Sequence, residues 1–269
     1  MTTLRVCLAG ATGWAGSELA RAIARDAPDI ALVAAVSRTH AGGNLSTVLG
    51  GIDVNVPIFA TAADALASHA CDVFVEYTQP ESAVRHVRAA LERGAHVVIG
   101  TSGLTDADLR EIDALARRRK RGVLAVGNFA LTVVLLQRFA EMAAKLIPQW
   151  EIIDYADDAK TDAPSGTARE LASRLAKVRQ PEPTVPVELT AGERDARGAT
   201  LGGTQVHSLR LPGYVISAEV IFGMTDQRLS IRHDSGNSAR PYVDGALLAI
   251  RRVSSLVGLH RGLDAVLEI

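Results

Sequence analysis

The segment Gly10-Ala11-Thr12-Gly13-Trp14-Ala15-Gly16 limits what this chain can fold into more than any other stretch. It follows an apolar run at residues 4–9 and precedes a helical pattern at residues 18–25. Its form is G-x-x-G-x-x-G. Such a loop needs glycine for a tight turn, for backbone approach to a pyrophosphate and for close packing of helix on strand. The helix start supplies amide donors and the positive end of its dipole. With a second apolar strand ending near residue 36, the segment reads as a dinucleotide-binding βαβ unit.

The alternation continues. Residues 30–37, 73–77, 97–99 and 123–126 read as buried parallel strands, and 62–68, 82–93 and 106–120 have helical spacing. This predicts a doubly wound parallel sheet. The basic run at 117–121 fits a solvated helix end, where cations suit the dipole. Past residue 130 the character changes. A helix at 132–146, a strand at 151–156 and a helix at 166–177 precede a Pro/Gly-rich stretch at 181–203. Three β-type runs follow at 204–211, 214–222 and 227–233, spaced for an antiparallel or mixed sheet, then an amphipathic helix at 242–257. The expected fold class is α/β, a Rossmann-like parallel-sheet cofactor domain plus an α+β domain.

A net charge of −1 over 269 residues gives no reason to expect nucleic acid or an anionic membrane as partner. No apolar run reaches the ~18 residues of a membrane span. The N-terminus leads straight into the glycine loop without a signal-peptide layout. Cys7 and Cys71 lie in apolar runs and read as buried thiols of a reducing cytoplasm, and no metal site is expected.

The end of the second strand sets nucleotide preference. Ser37-Arg38-Thr39-His40 contains no acid to bind ribose hydroxyls, and a guanidinium with a hydroxyl suits a 2′-phosphate. NADP(H) is therefore expected, with NAD(H) as the alternative. Three further loops fall at strand C-terminal ends, where ligands bind in such sheets: Tyr77-Thr78-Gln79-Pro80, Gly100-Thr101-Ser102-Gly103 and Gly127-Asn128-Phe129. Each alone is ordinary turn chemistry. Together at one sheet edge they predict a cofactor crevice.

The segment Lys160-Thr161-Asp162-Ala163-Pro164-Ser165-Gly166-Thr167-Ala168 is the most specific. Ser165, Gly166 and Thr167 stand where a helix opens, so amides and hydroxyls can hold a carboxylate, and Lys160 adds a cation and a proton donor. The same pattern also reads as an N-capped helix beside a solvated lysine.

With these motifs in this order the chain resembles the dihydrodipicolinate reductase family. The glycine loop, the Arg38 position, Tyr77-Thr78-Gln79-Pro80-Glu81, Ile99-Gly100-Thr101-Ser102-Gly103, Gly127-Asn128-Phe129 and the segment 160–167 carry the likeness, which is weakest between about 178 and 203. The resemblance implies NAD(P)H reduction of a cyclic imine-type dicarboxylate in lysine and diaminopimelate biosynthesis. It implies a nucleotide domain of residues 1–129 to which 241–269 return, a substrate and oligomerisation domain of residues 130–240, and a homotetramer built through the second sheet. By position, Lys160 matches the family's proton donor, and Ser165, Gly166 and Thr167 its substrate-carboxylate loop. Hydride transfer is then expected in a cleft between the domains.

The chain also departs from the family. The family's usual glutamate and adjacent histidine pair before the lysine are absent: the stretch here is Asp154-Tyr155-Ala156-Asp157-Asp158-Ala159-Lys160, with Ala156 and Asp157 in place of the histidines. An ordinary aspartate, with a pKa of about 3.9, does not donate protons at neutral pH. Asp157 is instead a candidate for holding the charge of Lys160 or a cationic nitrogen of the substrate. The family's Arg-Met pair in the glycine loop is Trp14-Ala15, Ala130 follows Asn128-Phe129, and the stretch 207–213 differs. Two alternatives stay open: an imine reductase or amine dehydrogenase with a different substrate, and a nucleotide-binding sensor that has lost the chemistry. His207 and His233 are read as satisfied sheet residues, with a place at the active cleft as the alternative. His86 and His96 are read as packing or solvent residues.

Overall fold

The run LRVCLA forms strand β1 (Leu4–Ala9), whose last four residues are buried, as a central parallel strand covered on both faces requires. The computed structural model describes residues 3–267. After β1 come α1 (Trp14–Asp26), β2 (Ile30–Val36), α2 (Leu45–Leu49), β3 (Ile58–Phe59), α3 (Ala62–Ser68), β4 (Val73–Glu76), α4 (Pro80–Glu92), β5 (His96–Ile99), α5 (Asp106–Arg119) and β6 (Gly122–Ala125). Next come α6 (Leu131–Ala144), β7 (Gln149–Ala156), α7 (Gly166–Val178), β8 (Ala199–Leu201), β9 (Thr204–Arg210), β10 (Ile216–Met224) and β11 (Gln227–Ser235). The chain ends with α8 (Val243–Arg252) and β12 (Gly258–Arg261). It divides into two compact units, one of residues up to Leu131 with those from Ala239 onward, the other Thr132–Ser238.

The first unit holds a seven-stranded parallel sheet in the order β12-β6-β5-β4-β1-β2-β3. Strand order reverses between β1 and β4, and ligands bind at the carboxyl ends of strands beside such a reversal. One of its core clusters, around Phe74, Val87, Leu91, Val97 and Ile112, packs α3, α4 and α5 on one sheet face. Thr105 and Asp108 close a reciprocal capping box at the start of α5. At its other end Arg117 pairs with Asp113 at 2.8 Å, and Lys120 ends the helix in the left-handed region (φ 54°).

The second unit holds a mixed five-stranded sheet, β11-β10-β7-β9-β8, in which only β7 and β9 run parallel. Strand periodicity divides its faces. Trp150, Ile152, Val206, Val220 and Phe222 pack against Leu136, Leu171 and Leu175 of α6 and α7. The alternate residues Glu151, Ile153, His207, Leu209, Glu219 and Ile221 are half-buried on the other face.

The helix expected at 242–257 stops at Arg252. A 3-10 turn, Val253–Ser255, follows, and residues 258–261 pair in parallel with β6 as the edge strand of the first sheet. Four residues of pairing at an edge leave no periodicity to read. The two-residue β3 and three-residue β8 escape the sequence for the same reason. Cys7 and Cys71 are buried free thiols, and burial pushes the Cys71 thiol up to about 11.

Candidate functional site

The glycine loop is held against the end of β4. Gly10 has φ +79°, and a Cβ there would lie 2.2 Å from the carbonyl oxygen of Tyr77. A Cβ on Gly16 would lie 2.1 Å from the carbonyl oxygen of Gly10. Both contacts admit only glycine. Helix α1 starts at Trp14 with no side-chain cap, and Gly13 N–H donates to Gly10 O at 3.0 Å. An uncapped helix start above a glycine-only backbone cradle fits a pyrophosphate.

Beside this loop lies a cavity of about 600 Å³, lined by Trp14 and Ala15, by residues 77–80, 100–103 and 126–129, and by Tyr242. It gathers Tyr77, Thr78, Gly100, Thr101, Ser102, Asn128 and Phe129, which the sequence placed in three separate loops. Tyr77 and Phe129 meet edge to face with centroids 5.6 Å apart, and Trp14 meets Tyr242 in the same way at 5.7 Å. Burial pushes the Tyr77 phenol far up, and among the described residues its hydroxyl has no hydrogen-bond partner. Asn128 turns its carboxamide oxygen back to accept Ala130 N–H at 2.9 Å. The sequence reading missed Tyr242, which comes from the far end of the chain and carries no local motif. Small loops at the carboxyl edge, with an aromatic wall, fit a nicotinamide ring.

Glu76, also missed, sits beneath two of these loops and is fully buried. Its Oε1 accepts the Thr78 N–H at 2.8 Å and the Thr78 hydroxyl. Its Oε2 lies 2.8 Å from His86 Nδ1. The Thr101 hydroxyl reaches the Glu76 carbonyl oxygen at 3.3 Å and Oε1 at 3.4 Å. His86 is therefore a packing partner within the nucleotide unit.

At the other side of the glycine loop, the Thr12 hydroxyl lies 2.9 Å from that of Ser37 at the end of β2. Thr39 Oγ1 and His40 Nδ1 are 2.9 Å apart, and Arg38 stands exposed between them and Ser37. Arg38 does not line the 600 Å³ cavity.

In the second unit, Asp154 on β7 is fully buried and pairs with Arg210 of β9 at 2.8 Å. The same carboxylate oxygen accepts Ser165 N–H at 2.8 Å, and Arg210 also donates to the carbonyl oxygen of Asp162 at 2.7 Å. This ion pair fastens the segment 160–166 at two points. It also modifies the expected carboxylate loop. Ser165 is buried, its amide is spent on Asp154 and its hydroxyl oxygen caps α7 by accepting Ala168 N–H at 3.3 Å. Gly166 and Thr167, which follow it in the first turn of α7, are exposed and half-buried.

Lys160 pairs with Asp162 at 2.5 Å rather than with Asp157. Hydrogen bonding to Lys160 holds the Asp162 carboxyl below its ordinary value. Asp157 accepts Ala159 N–H at 3.0 Å, and its carbonyl accepts Lys160 N–H at 3.1 Å, so it shapes the turn into the lysine. Asp157 also lines a cavity of about 460 Å³ with Gly213, Tyr214, Val215 and Asn237. His207 Nε2 is engaged by Glu151 at 2.7 Å on the sheet face away from α7. His233 is buried, 2.9 Å from the Thr132 hydroxyl, and desolvation lowers its pKa.

Comparison with known proteins bears on the same two units. The family model for the N-terminus of dihydrodipicolinate reductase matches residues 4–129, and that for its C-terminus matches residues 132–267. The 4-hydroxy-tetrahydrodipicolinate reductase of Geobacillus kaustophilus is 40% identical over 270 residues, covering 99% of this chain and 100% of the relative. That of Moorella thermoacetica is also 40% identical over 270 residues, covering 100% of this chain and 99% of the relative. Among solved structures, dipicolinate-bound dihydrodipicolinate reductase from Paenisporosarcina sp. TG-14 superposes with a TM-score of 0.88 at 31% identity, over 99% of this chain and 100% of that one. An amine dehydrogenase from Mycobacterium smegmatis, with a TM-score of 0.66 at 15% identity over 96% of this chain and 94% of its own, shares the fold. With a glycine-loop nucleotide unit, a fastened Lys160-to-Thr167 loop and matches to both family halves, this chain belongs to the dihydrodipicolinate reductase family and is an NAD(P)H-dependent reductase.

Proposed function

We propose that this protein reduces 4-hydroxy-tetrahydrodipicolinate, the substrate named for its relatives, with NADPH preferred over NADH. The observation that carries the reading is the loop from Lys160 to Thr167, held at Asp162 and Ser165 by the buried Asp154–Arg210 pair. Such fastening is what a substrate loop needs, because positioned groups accelerate a reaction only when held in place.

Bound NAD(P)H supplies the hydride. The chain's own residues do the rest. The 4-hydroxyl must leave as water, and hydride added to the carbon end of the resulting C=C–C=N system leaves the electron pair on the ring nitrogen, which takes up a proton that Lys160 donates from Nζ. The amides of Gly166 and Thr167 and the Thr167 hydroxyl hold a substrate carboxylate at the α7 start. Asp162, paired with Lys160, keeps the ammonium oriented. Asp157 sets the turn before the lysine and lines the neighbouring cavity. Arg38 and the hydroxyls of Ser37 and Thr39 receive the 2′-phosphate. The functional division follows residues 1–129 with 241–269 for nucleotide and 130–240 for substrate and assembly, in a cytoplasmic homotetramer.

One observation favours a second reading. Asp157 and Tyr214 share a cavity, and a carboxylate there suits a substrate with a cationic nitrogen. NADPH oxidation measured with the tetrahydrodipicolinate precursor and with a panel of other cyclic imines separates the two. Turnover of another imine with none of the precursor rejects the first reading.

A further inference from the structure

We propose that Glu76 is a positioning residue for the nucleotide cavity, acting through Thr78 and Thr101. The inference rests on the reading of that cavity as the NAD(P)H site. Glu76 ends β4, next to the point where strand order reverses, and is fully buried. A buried carboxyl is costly unless its oxygens are bonded, and an apolar residue would fill a core position at lower cost. Here the oxygens are spent on loops. Oε1 takes both the N–H and the hydroxyl of Thr78, and the Thr78 hydroxyl is 2.9 Å from that of Ser82 on α4. Thr101, in the next loop, touches both the carbonyl oxygen and Oε1 of Glu76. His86 on α4 closes the set at Oε2. One side chain thus ties the loops after β4 and β5 to each other and to α4, and both loops line the 600 Å³ cavity. Glu76 itself is absent from the lining.

The test is fluorescence titration with NADPH, steady-state kinetics and thermal melting on Glu76→Ala, Glu76→Gln, Thr78→Val and the double variant Glu76→Ala/Thr78→Val. Glu76→Ala is expected to weaken NADPH binding about 10-fold or more, the scale of losing two hydrogen bonds to one buried acceptor, with the loss falling on KM rather than kcat. Glu76→Gln keeps a carbonyl acceptor for Thr78 and is expected to stay within about threefold of the wild type. The double variant should cost little more than Glu76→Ala, because the effect runs through Thr78. Should Glu76→Ala not fold, Thr78→Val carries the test, with about threefold or more weaker binding expected. A folded Glu76→Ala with a lower Tm but wild-type NADPH affinity overturns the inference, as does Thr78→Val with unchanged affinity. Wild-type protein that binds neither NADPH nor NADH overturns the cofactor reading along with it.

Discussion

The Arg210 guanidinium lies 2.8 Å from the fully buried carboxylate of Asp154, and the same nitrogen donates to the carbonyl oxygen of Asp162, eight residues further along the chain. One ion pair thereby couples the floor of the second sheet to the loop that carries Lys160. Arg210→Ala strands the Asp154 carboxylate in the core. It should cost about 3–5 kcal/mol of stability, the range for breaking a buried pair by removing one partner. Urea denaturation measures it. A loss within the error of a surface substitution would show that the pair does not hold the loop.

Arg38 is the cation at the end of β2, next to the Thr12–Ser37 hydroxyl contact. Arg38→Ala should weaken NADPH binding about 10-fold or more and leave NADH nearly unchanged, since only the 2′-phosphate offers charged hydrogen bonds there. Equal losses for both nucleotides would remove the basis for NADP(H) preference.

Lys160→Ala should lower kcat about 10²-fold or more, the range for a general acid, while NADPH affinity is unchanged. Asp157→Ala should act on KM or substrate choice, because its carboxylate faces the turn and the adjoining cavity rather than the lysine. Wild-type turnover in Lys160→Ala would assign the proton to water or to another residue.

His96 and His233 both have lowered pKa values, in each case mainly through desolvation. His96 Nδ1 accepts Gly122 N–H at 2.9 Å and His233 Nδ1 lies 2.9 Å from the Thr132 hydroxyl. The unfolded chain binds protons at these groups more readily than the folded one. Their stabilising contribution is therefore complete above the ordinary histidine value of about 6.5 and lost as pH falls through it toward the folded values. Chemical denaturation across that window should show falling stability with falling pH, and the slope should shrink in a His96→Gln/His233→Gln variant. An unchanged slope in the variant assigns the dependence to other groups.

The proposed tetramer would assemble through the half-buried face of the second sheet, where Ile153, Leu209 and Ile221 stand among charged neighbours. Light scattering at micromolar concentration should give the mass of a tetramer. Arg substituted at Ile221 should lower it, and a monomeric mass for the wild type would contradict the assembly.

The sequence alone determined the parallel sheet and the nucleotide loop. Buried parallel strands are continuous apolar runs, and the contacts of Gly10 and Gly16 with backbone carbonyls leave no other residue type. It also determined the Lys160-to-Thr167 segment, where the cap, the cation and the helix start are neighbours in the chain. Only tertiary structure decided the rest. Tyr242 joins the cavity wall from more than a hundred residues beyond Phe129, and Glu76 is recognisable as a tie between loops only once Thr78, Thr101 and His86 surround it. Ser165 could be read as a free carboxylate ligand until Asp154, in another element, claimed its amide. Local pattern reports on period, turn and cap. Which buried donor meets which acceptor across distant strands is set by packing, and that is where the site acquires its support.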